Sequence, residues 1–441
     1  MSGTSFTVQP GGQLNGRLRV PGDKSISHRA IMFAAIAQGT TCITGFLESE
    51  DCLATLRAFN AMGLQHTQRD GAWVVEGMGM HGLQAPTAPL DLGNSGTSMR
   101  LLSGLMVGQA FDSVLTGDAS LSRRPMNRVI DPLTQMGAQI AGQAGGRAPL
   151  SITGGVALTA IDYTPPVASA QIKSCVLLAG LYANGVTRVH EPGISRDHTE
   201  RMLGAFGVEI ERDGRSLALA GGQALQAADI AVPADLSSAA FFLVGAAITP
   251  GSDLWLEEVG INATRRGVID VLVSMGADIE LHNERDQAGE PVADIRIRGS
   301  ALQGVDIGAS EVELAIDECP AIFVAAACAE GTTRVTGAAE LRVKECDRIA
   351  VMAEGLTALG IECTEVEDGL TIVGQGAGAV FDGGEIASHE DHRIAMSFAM
   401  AGLRANSPIR IDDCDYVDTS FPGFVELAAQ AGLSIQAQGV S

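Results

Sequence analysis

A phrase that recurs six times constrains this chain more than any other feature: an apolar helix-forming stretch, a glycine, then an apolar strand-like segment. It is read at Phe59 to Leu64, Leu133 to Ile140, Met202 to Ile210, Val273 to Ile279, Leu356 to Glu362 and Leu427 to Ile435, around Gly63, Gly137, Gly207, Gly276, Gly360 and Gly432. The copies lie roughly 70 to 85 residues apart, the signature of a chain built by repetition. Each glycine suits a helix C-terminus, where a left-handed backbone is tolerated best without a side chain.

A second helix is expected ahead of each phrase: Ala30 to Ala37, Ser98 to Val107, Ile172 to Leu181, Ala239 to Ile248, Ala321 to Ala329 and Ile394 to Leu403. These stretches are rich in Ala, Leu, Met and Val on nearly every face, which implies burial on all sides. Polar residues cluster just ahead of them: Gly22 to Arg29, Gly93 to Thr97, Ser169 to Gln171, Asp235 to Ser238, Ile316 to Pro320 and His389 to Arg393. Capping explains the Ser, Asp and Asn. It does not explain Lys24, Arg29, Gln171 or Arg393, because cations oppose the positive end of a helix dipole. An anion bound among them and the open backbone N–H groups would. The expected architecture is therefore a two-lobed α/β protein, three repeats per lobe, with a site in the cleft between lobes and a boundary near Pro233 to Ser237.

Composition limits the partners. Length alone, 441 residues, suggests about three domains. An apolar share of 46% with 18% charged residues argues for extensive burial. A formal charge of −23 without long basic runs excludes nucleic acid and anionic membrane as expected partners. Small anionic substrates would have to be held by local cations. Eight cysteines without a CxxC pair point to a reduced, cytoplasmic setting. The polar N-terminus lacks signal-peptide character, and apolar runs such as Ala239 to Ile248 are about half the roughly 20 residues that span a bilayer.

The densest charge lies at Glu340 to Arg348. If Lys344 to Arg348 form a first helical turn, Lys344 and Arg348 stand at i, i+4 and Glu345 and Arg348 at i, i+3, placing an acid between two cations. Taken alone, that is an ordinary solvated helix face. Arg124, Arg348, Arg393 and Lys24, however, come from separate repeats and are expected at one phase of the repeat, and arginine's planar fork suits carboxylate and phosphate. Other motifs are weak. Gly77 to Gly82 matches GxGxxG, but the proline-bearing segment after it cannot form the helix a dinucleotide fingerprint needs. His389-Glu390-Asp391-His392 has no partner ligands at metal spacing, and no P-loop is present.

Taken together, Pro21 to Arg29, Leu92 to Arg100, Arg124 to Met126, Ser169 to Gln171, Glu340 to Arg348 and Asp391 to Arg393 resemble the EPSP synthase family, the 3-phosphoshikimate 1-carboxyvinyltransferases, in family order along essentially the whole chain. The resemblance implies the family's two-lobed inside-out α/β barrel, with residues 1–21 plus 237–441 in one lobe and 22–236 in the other. It implies transfer of the enolpyruvyl group of phosphoenolpyruvate to the 5-hydroxyl of shikimate 3-phosphate by a monomer, with no metal or organic cofactor. By the same resemblance, shikimate 3-phosphate is expected at Lys24, Ser25, Arg29, Ser169, Gln171, Arg196, Asp317 and Lys344. Phosphoenolpyruvate is expected at Lys24, Gly96, Arg124, Gln171, Arg348 and Arg393. Lys24, Asp317 and Glu345 carry the catalytic expectation, with Asp317 taking the hydroxyl proton and Glu345 moving the proton at C3.

Arg196 to Glu200, Ser169 to Lys173 and Asn262 to Arg265 look like the second class of these enzymes, associated with glyphosate tolerance, as does Thr419 where the enteric pattern has Lys. Gly96 points the other way, since Ala accompanies tolerance in some members. Cys346 replaces the usual Ser or Thr. The sister transferase acting on UDP-N-acetylglucosamine fits less well: Ala119 to Arg124 lacks its loop cysteine, and Lys24 is followed by Ser rather than Asn. A non-catalytic repeat scaffold that merely binds anions is the remaining alternative.

Overall fold

The computed structural model describes residues 3–378 and 380–439. Met1, Ser2, Ala379, Val440 and Ser441, which fall inside the expected domain ranges, lie outside the described residues. Six nearly all-buried helices are present: Lys24–Ile36, Gly96–Met106, Ala170–Gly180, Leu236–Ile248, Cys319–Ala327 and His392–Ala401. Each begins earlier than its apolar run predicts, the first at Lys24 rather than Ala30. The reason is local: capping residues draw the polar approach into the first turns. Asp23, Ser95, Ser169, Asp235 and Asp391 each accept a backbone N–H from inside their helix. The fifth helix has Glu318 at its N-cap and Pro320 in its first turn instead.

In each repeat the strand and amphipathic helix that follow end at the expected glycine, and all six of these glycines have positive φ, between 82° and 117°. Six sheets share one topology. In every one a short strand pairs parallel with the strand that follows a buried helix, and that strand pairs antiparallel with its other neighbour. The repeat seen in the sequence is thus a repeat of hydrogen-bonding pattern as well. Residues 83–89, after the GxGxxG match, contain no helix.

Two compact units result. One comprises Gly22–Val232 with the short stretch Gln287–Glu290; the other comprises the residues before Gly22 together with Pro233–Asp286 and the chain from Pro291 onward. Each unit has three of the sheets and its own apolar core. In the second unit the N-terminal strand Thr4–Gly12 pairs with Ile409–Asp412 and Leu433–Gly439, so the last repeat is completed by the start of the chain. In that same unit the Leu236–Ile248, Cys319–Ala327 and His392–Ala401 helices pack on one another. Every residue of the first two of these is buried. The Gln287–Glu290 stretch has no counterpart in the sequence reading. It is the tip between the strands Asp278–Gln287 and Glu290–Arg298.

In the first unit the Gly96–Met106 and Ala170–Gly180 helices approach backbone to backbone. A Cβ at Gly104 would stand 2.3 Å from the Cys175 carbonyl oxygen. Gly104→Ala is therefore expected to cost about 1–3 kcal/mol of stability through overpacking. Thermal or denaturant unfolding measures it, and a change below about 0.5 kcal/mol would mean the two helices part without resistance. Among the described residues no helix is long and apolar enough to cross a membrane. All eight cysteines are unbridged.

Candidate active site

Each unit concentrates its candidate residues where its buried helices begin. In the Gly22–Val232 unit, Asp23 caps Ile26 at 2.8 Å, and Lys24 is the first helical residue, its Nζ paired with Asp51. Arg29 lies one turn further on and is only 3% exposed. Its Nε donates to the Thr199 hydroxyl at 2.7 Å, Nη2 to the Ser174 hydroxyl at 2.9 Å and Nη1 to the Ser25 carbonyl at 2.9 Å. Burial pulls its pKa down to about 10, with Glu200 and Asp23 working against the fall, so the guanidinium remains charged at neutral pH.

Gly96 opens the second buried helix between two guanidinium groups. A Cβ there would lie 3.0 Å from Arg100 Nη1 and 3.3 Å from Arg124 Nη1. Arg124 Nη2 donates to Asn94 Oδ1 at 2.8 Å, Arg100 Nη1 to Gln171 Oε1 at 2.6 Å, and Gln171 Nε2 to the Thr97 hydroxyl at 3.0 Å. This cluster is tied to the first helix by a buried relay. His28 Nδ1 is 2.8 Å from the Thr55 hydroxyl, Thr55 is 2.6 Å from Ser98, and Ser98 donates to Ser95 at 2.7 Å. Burial first, then Lys24 and Arg29, push the His28 pKa well down, so the imidazole is neutral. Ser169 caps the third helix through the Ile172 N–H at 3.4 Å, and Arg196 sits half-buried on the loop that enters the next helix.

The second unit gathers Asp317, Lys344, Glu345, Arg348 and Arg393. Arg348 is the hub and is 1% exposed. Its Nε donates to Asp391 Oδ2 at 2.7 Å, Nη2 to Glu345 Oε2 at 2.6 Å, and Nη1 reaches Asp317 Oδ1 at 3.4 Å. Lys344 Nζ binds the same Asp317 oxygen at 3.1 Å. Burial disfavours the charge on Arg348, but Asp391, Glu345 and Asp317 outweigh it and raise its pKa above the ordinary arginine value. Arg393 Nη1 donates to the Asp317 carbonyl at 2.8 Å and stands 3.5 Å from Glu318 Oε1. Glu318 Oε1 also accepts from the Ser237 hydroxyl, which in turn receives Arg265. Cys346 lies 3.6 Å from Asp391, and burial, then that carboxylate, push its thiol pKa up. The Thr419 hydroxyl donates to the Tyr416 carbonyl at 2.6 Å.

Two expectations need correction. Lys344 to Arg348 is not a helical turn: Lys344 ends the 3-10 helix Ala339–Val343, and Asp347 caps a helix that starts at Arg348. The acid between two cations is met by Asp317, held by Lys344 and Arg348, while Glu345 binds Arg348 across the cap. Asp317 lies just ahead of the fifth helix, one residue before its N-cap Glu318, and follows a short helix, Ala309–Ala315, absent from the sequence reading. The four cations also do not share one phase. Lys24 and Arg393 lie in first turns of buried helices, Arg124 follows the short Ala119–Arg123 helix, and Arg348 starts an amphipathic one.

Sequence reasoning did not single out Asp51, Asn94, Arg100, Glu318 or Asp391 as site residues. Asn94, Arg100, Glu318 and Asp391 stood inside quoted stretches and carried that signal; Asp51 alone is brought in by tertiary packing, through its pairing with Lys24. His389 and Glu390, with φ of 52° and 62°, turn the chain so that Asp391 can cap the sixth helix. Among the described residues no group of three or more His, Cys, Asp or Glu side chains is placed to hold a metal ion.

Chemically, the second unit offers two partly exposed carboxylates, Asp317 and Glu345, on the Arg348 guanidinium that the buried Asp391 also holds, an arrangement suited to proton transfer. Comparison with known proteins shows which proteins the chain is similar to. The model of a family described as EPSP synthase (3-phosphoshikimate 1-carboxyvinyltransferase) matches residues 8–427. A 3-phosphoshikimate 1-carboxyvinyltransferase from Alkalilimnicola ehrlichii is 62% identical over 98% of this chain and 96% of its own, and one from Methylococcus capsulatus is 59% identical over 98% of both. A solved EPSP synthase from Acinetobacter baumannii superposes with a TM-score of 0.91 at 57% identity, over 99% of this chain and 100% of that one. The enolpyruvyl transferase NikO from Streptomyces tendae, at 17% identity and a TM-score of 0.81, shares the fold.

Proposed function

Because the chain belongs to the EPSP synthase family, we propose that it transfers the enolpyruvyl group of phosphoenolpyruvate to the 5-hydroxyl of shikimate 3-phosphate, releasing phosphate, as an enzyme of aromatic amino acid biosynthesis. The observation that carries the residue roles is that Asp317 and Glu345 are both anchored on the buried Arg348 guanidinium.

In this reading Asp317 accepts the 5-hydroxyl proton as the oxygen bonds to C2 of phosphoenolpyruvate. Glu345 delivers a proton to C3, forming the tetrahedral adduct. When the C–O bond to phosphate breaks, C3 loses a proton to Glu345 and the enol ether is restored, while the proton held by Asp317 leaves with the phosphate, so both carboxyls return to their starting states. Lys344 and Arg348 offset the charge around Asp317 as it reacts. Arg124 beside Gly96, Gln171, Arg348 and Arg393 are the proposed ligands of phosphoenolpyruvate. Ser25, Arg29, Ser169, Gln171, Arg196, Asp317 and Lys344 are those of shikimate 3-phosphate, with Lys24 serving both. Arg29, already engaged through all three of its nitrogens, would act chiefly by shaping the first turn around Ser25.

Phosphate release measured with phosphoenolpyruvate and each acceptor tests the proposal. Release is expected with shikimate 3-phosphate and not with UDP-N-acetylglucosamine; release with neither would leave an anion-binding scaffold. The second-class reading is supported by the motifs around Lys173, Arg196 and Arg265, and by Thr419. Its test is glyphosate: inhibition competitive with phosphoenolpyruvate at concentrations near the KM for phosphoenolpyruvate would overturn it. A cytoplasmic monomer is the accompanying proposal, in keeping with eight unbridged cysteines. Sedimentation equilibrium tests the monomer.

A further inference from the structure

Lys173, the fourth residue of the third buried helix, is 0% exposed. Lysine is rarely buried unless paired, and each ion taken out of water costs several kcal/mol before its partners repay it. Here the partners are complete. Nζ contacts Glu191 Oε1 at 2.9 Å, Glu200 Oε1 at 2.8 Å and the Ser195 carbonyl at 3.4 Å, three acceptors for three N–H donors. Glu191 Oε1 also accepts the Ser195 hydroxyl at 2.5 Å. Glu200 is shared with Arg212 at 3.0 Å, so two cations balance two carboxylates.

The placement of these contacts matters more than their number. Glu191 directly follows the strand Val186–His190, and Glu200 lies in the first turn of the helix His198–Ala205. The loop between them carries Arg196. One buried ammonium therefore grips both ends of this loop and, through Ser195, the residue next to Arg196. Two positions ahead of Lys173 in the same helix is Gln171, itself bonded to Arg100 and Thr97. Bulk stability does not call for this arrangement, since an apolar side chain would fill the same place without a desolvation cost.

We propose that Lys173 is a positioning residue that holds the Glu191 to Asp197 loop so that Arg196 is pre-set for the phosphate of the acceptor. This rests on the reading of Arg196 as a ligand of shikimate 3-phosphate. Lys173 touches neither substrate; it spares the loop the entropy of ordering at the moment of binding.

The test is a kinetic comparison of three variants. Arg196→Ala examines the underlying reading and is expected to raise the KM for shikimate 3-phosphate. Lys173→Met combined with Glu191→Gln removes the clamp while Glu200 keeps Arg212, so no charge is stranded. It is expected to raise the KM for shikimate 3-phosphate about tenfold, with kcat and the KM for phosphoenolpyruvate within about twofold, the pattern of lost uniform binding to one substrate. Ser195→Ala leaves the buried pair in place, loosens only the loop, and is expected to raise the same KM about threefold. A lowered Tm with an unchanged KM for shikimate 3-phosphate makes Lys173 merely structural and overturns the proposal, while a KM effect of Arg196→Ala leaves the reading of Arg196 standing. If Arg196→Ala itself has no effect, that reading fails and the proposal falls with it. Should the double variant not fold, Ser195→Ala decides: a raised KM supports the clamp and an unchanged one overturns it.

Discussion

Glu345→Gln is expected to lower kcat by about 10²- to 10⁴-fold, the span of general acid–base contributions, while the Kd for shikimate 3-phosphate stays within about threefold. Glutamine keeps the shape and an oxygen that can still accept from Arg348 Nη2, now 2.6 Å from the carboxylate. What it loses is the ability to carry a proton to and from C3. The side chain is 28% exposed whereas Arg348 is 1% exposed, so the reactive end has room to move on a fixed anchor. Steady-state kinetics and equilibrium titration with shikimate 3-phosphate separate the two effects. A kcat within about twofold of the parent would remove Glu345 from proton transfer, and a large loss of affinity would make it a binding residue instead.

How much of this was legible beforehand follows from the physics of each signal. The six buried helices were readable because all-round apolarity has no other economical explanation, and the six glycines because a left-handed helix end strongly favours that residue. Helix starts were not readable, since Lys24 and Ser25 look like an approach loop until Asp23 is known to cap Ile26. The same limit produced the misplaced turn at Lys344. Asp347 reads as one more charge in a run, and only its bond to the Ala350 N–H, 3.1 Å, shows that the helix begins after it.

Contacts distant in sequence were invisible for a different reason. Asp391 lies 43 residues beyond Arg348, and nothing local marks either side chain as buried. Lys173 is the extreme case. Composition places a lysine at the surface, and only tertiary structure reveals that two glutamates and a carbonyl have replaced its water.

The largest stability effect is expected at Arg348. Arg348→Met keeps roughly the side-chain length but removes the charge that faces three carboxylates. Glu345 and Asp317 retain access to solvent or to Lys344, so their loss is modest. Asp391 is 0% exposed and would keep only the Arg393 N–H at 2.9 Å and the Cys346 thiol. Breaking a buried pair on one side in this way costs about 3–5 kcal/mol. For a unit of this size that lowers Tm by roughly 6–20 °C. Adding Asp391→Asn tests the cause, because asparagine still caps the sixth helix but carries no charge. The double variant is expected to recover at least about half of the lost stability by calorimetry, through the non-additivity of contacting sites. Turnover is not recovered, since neither Asp317 nor Glu345 regains its anchor. A double variant no more stable than Arg348→Met alone would locate the cost in packing around the arginine stem rather than in the stranded Asp391 charge.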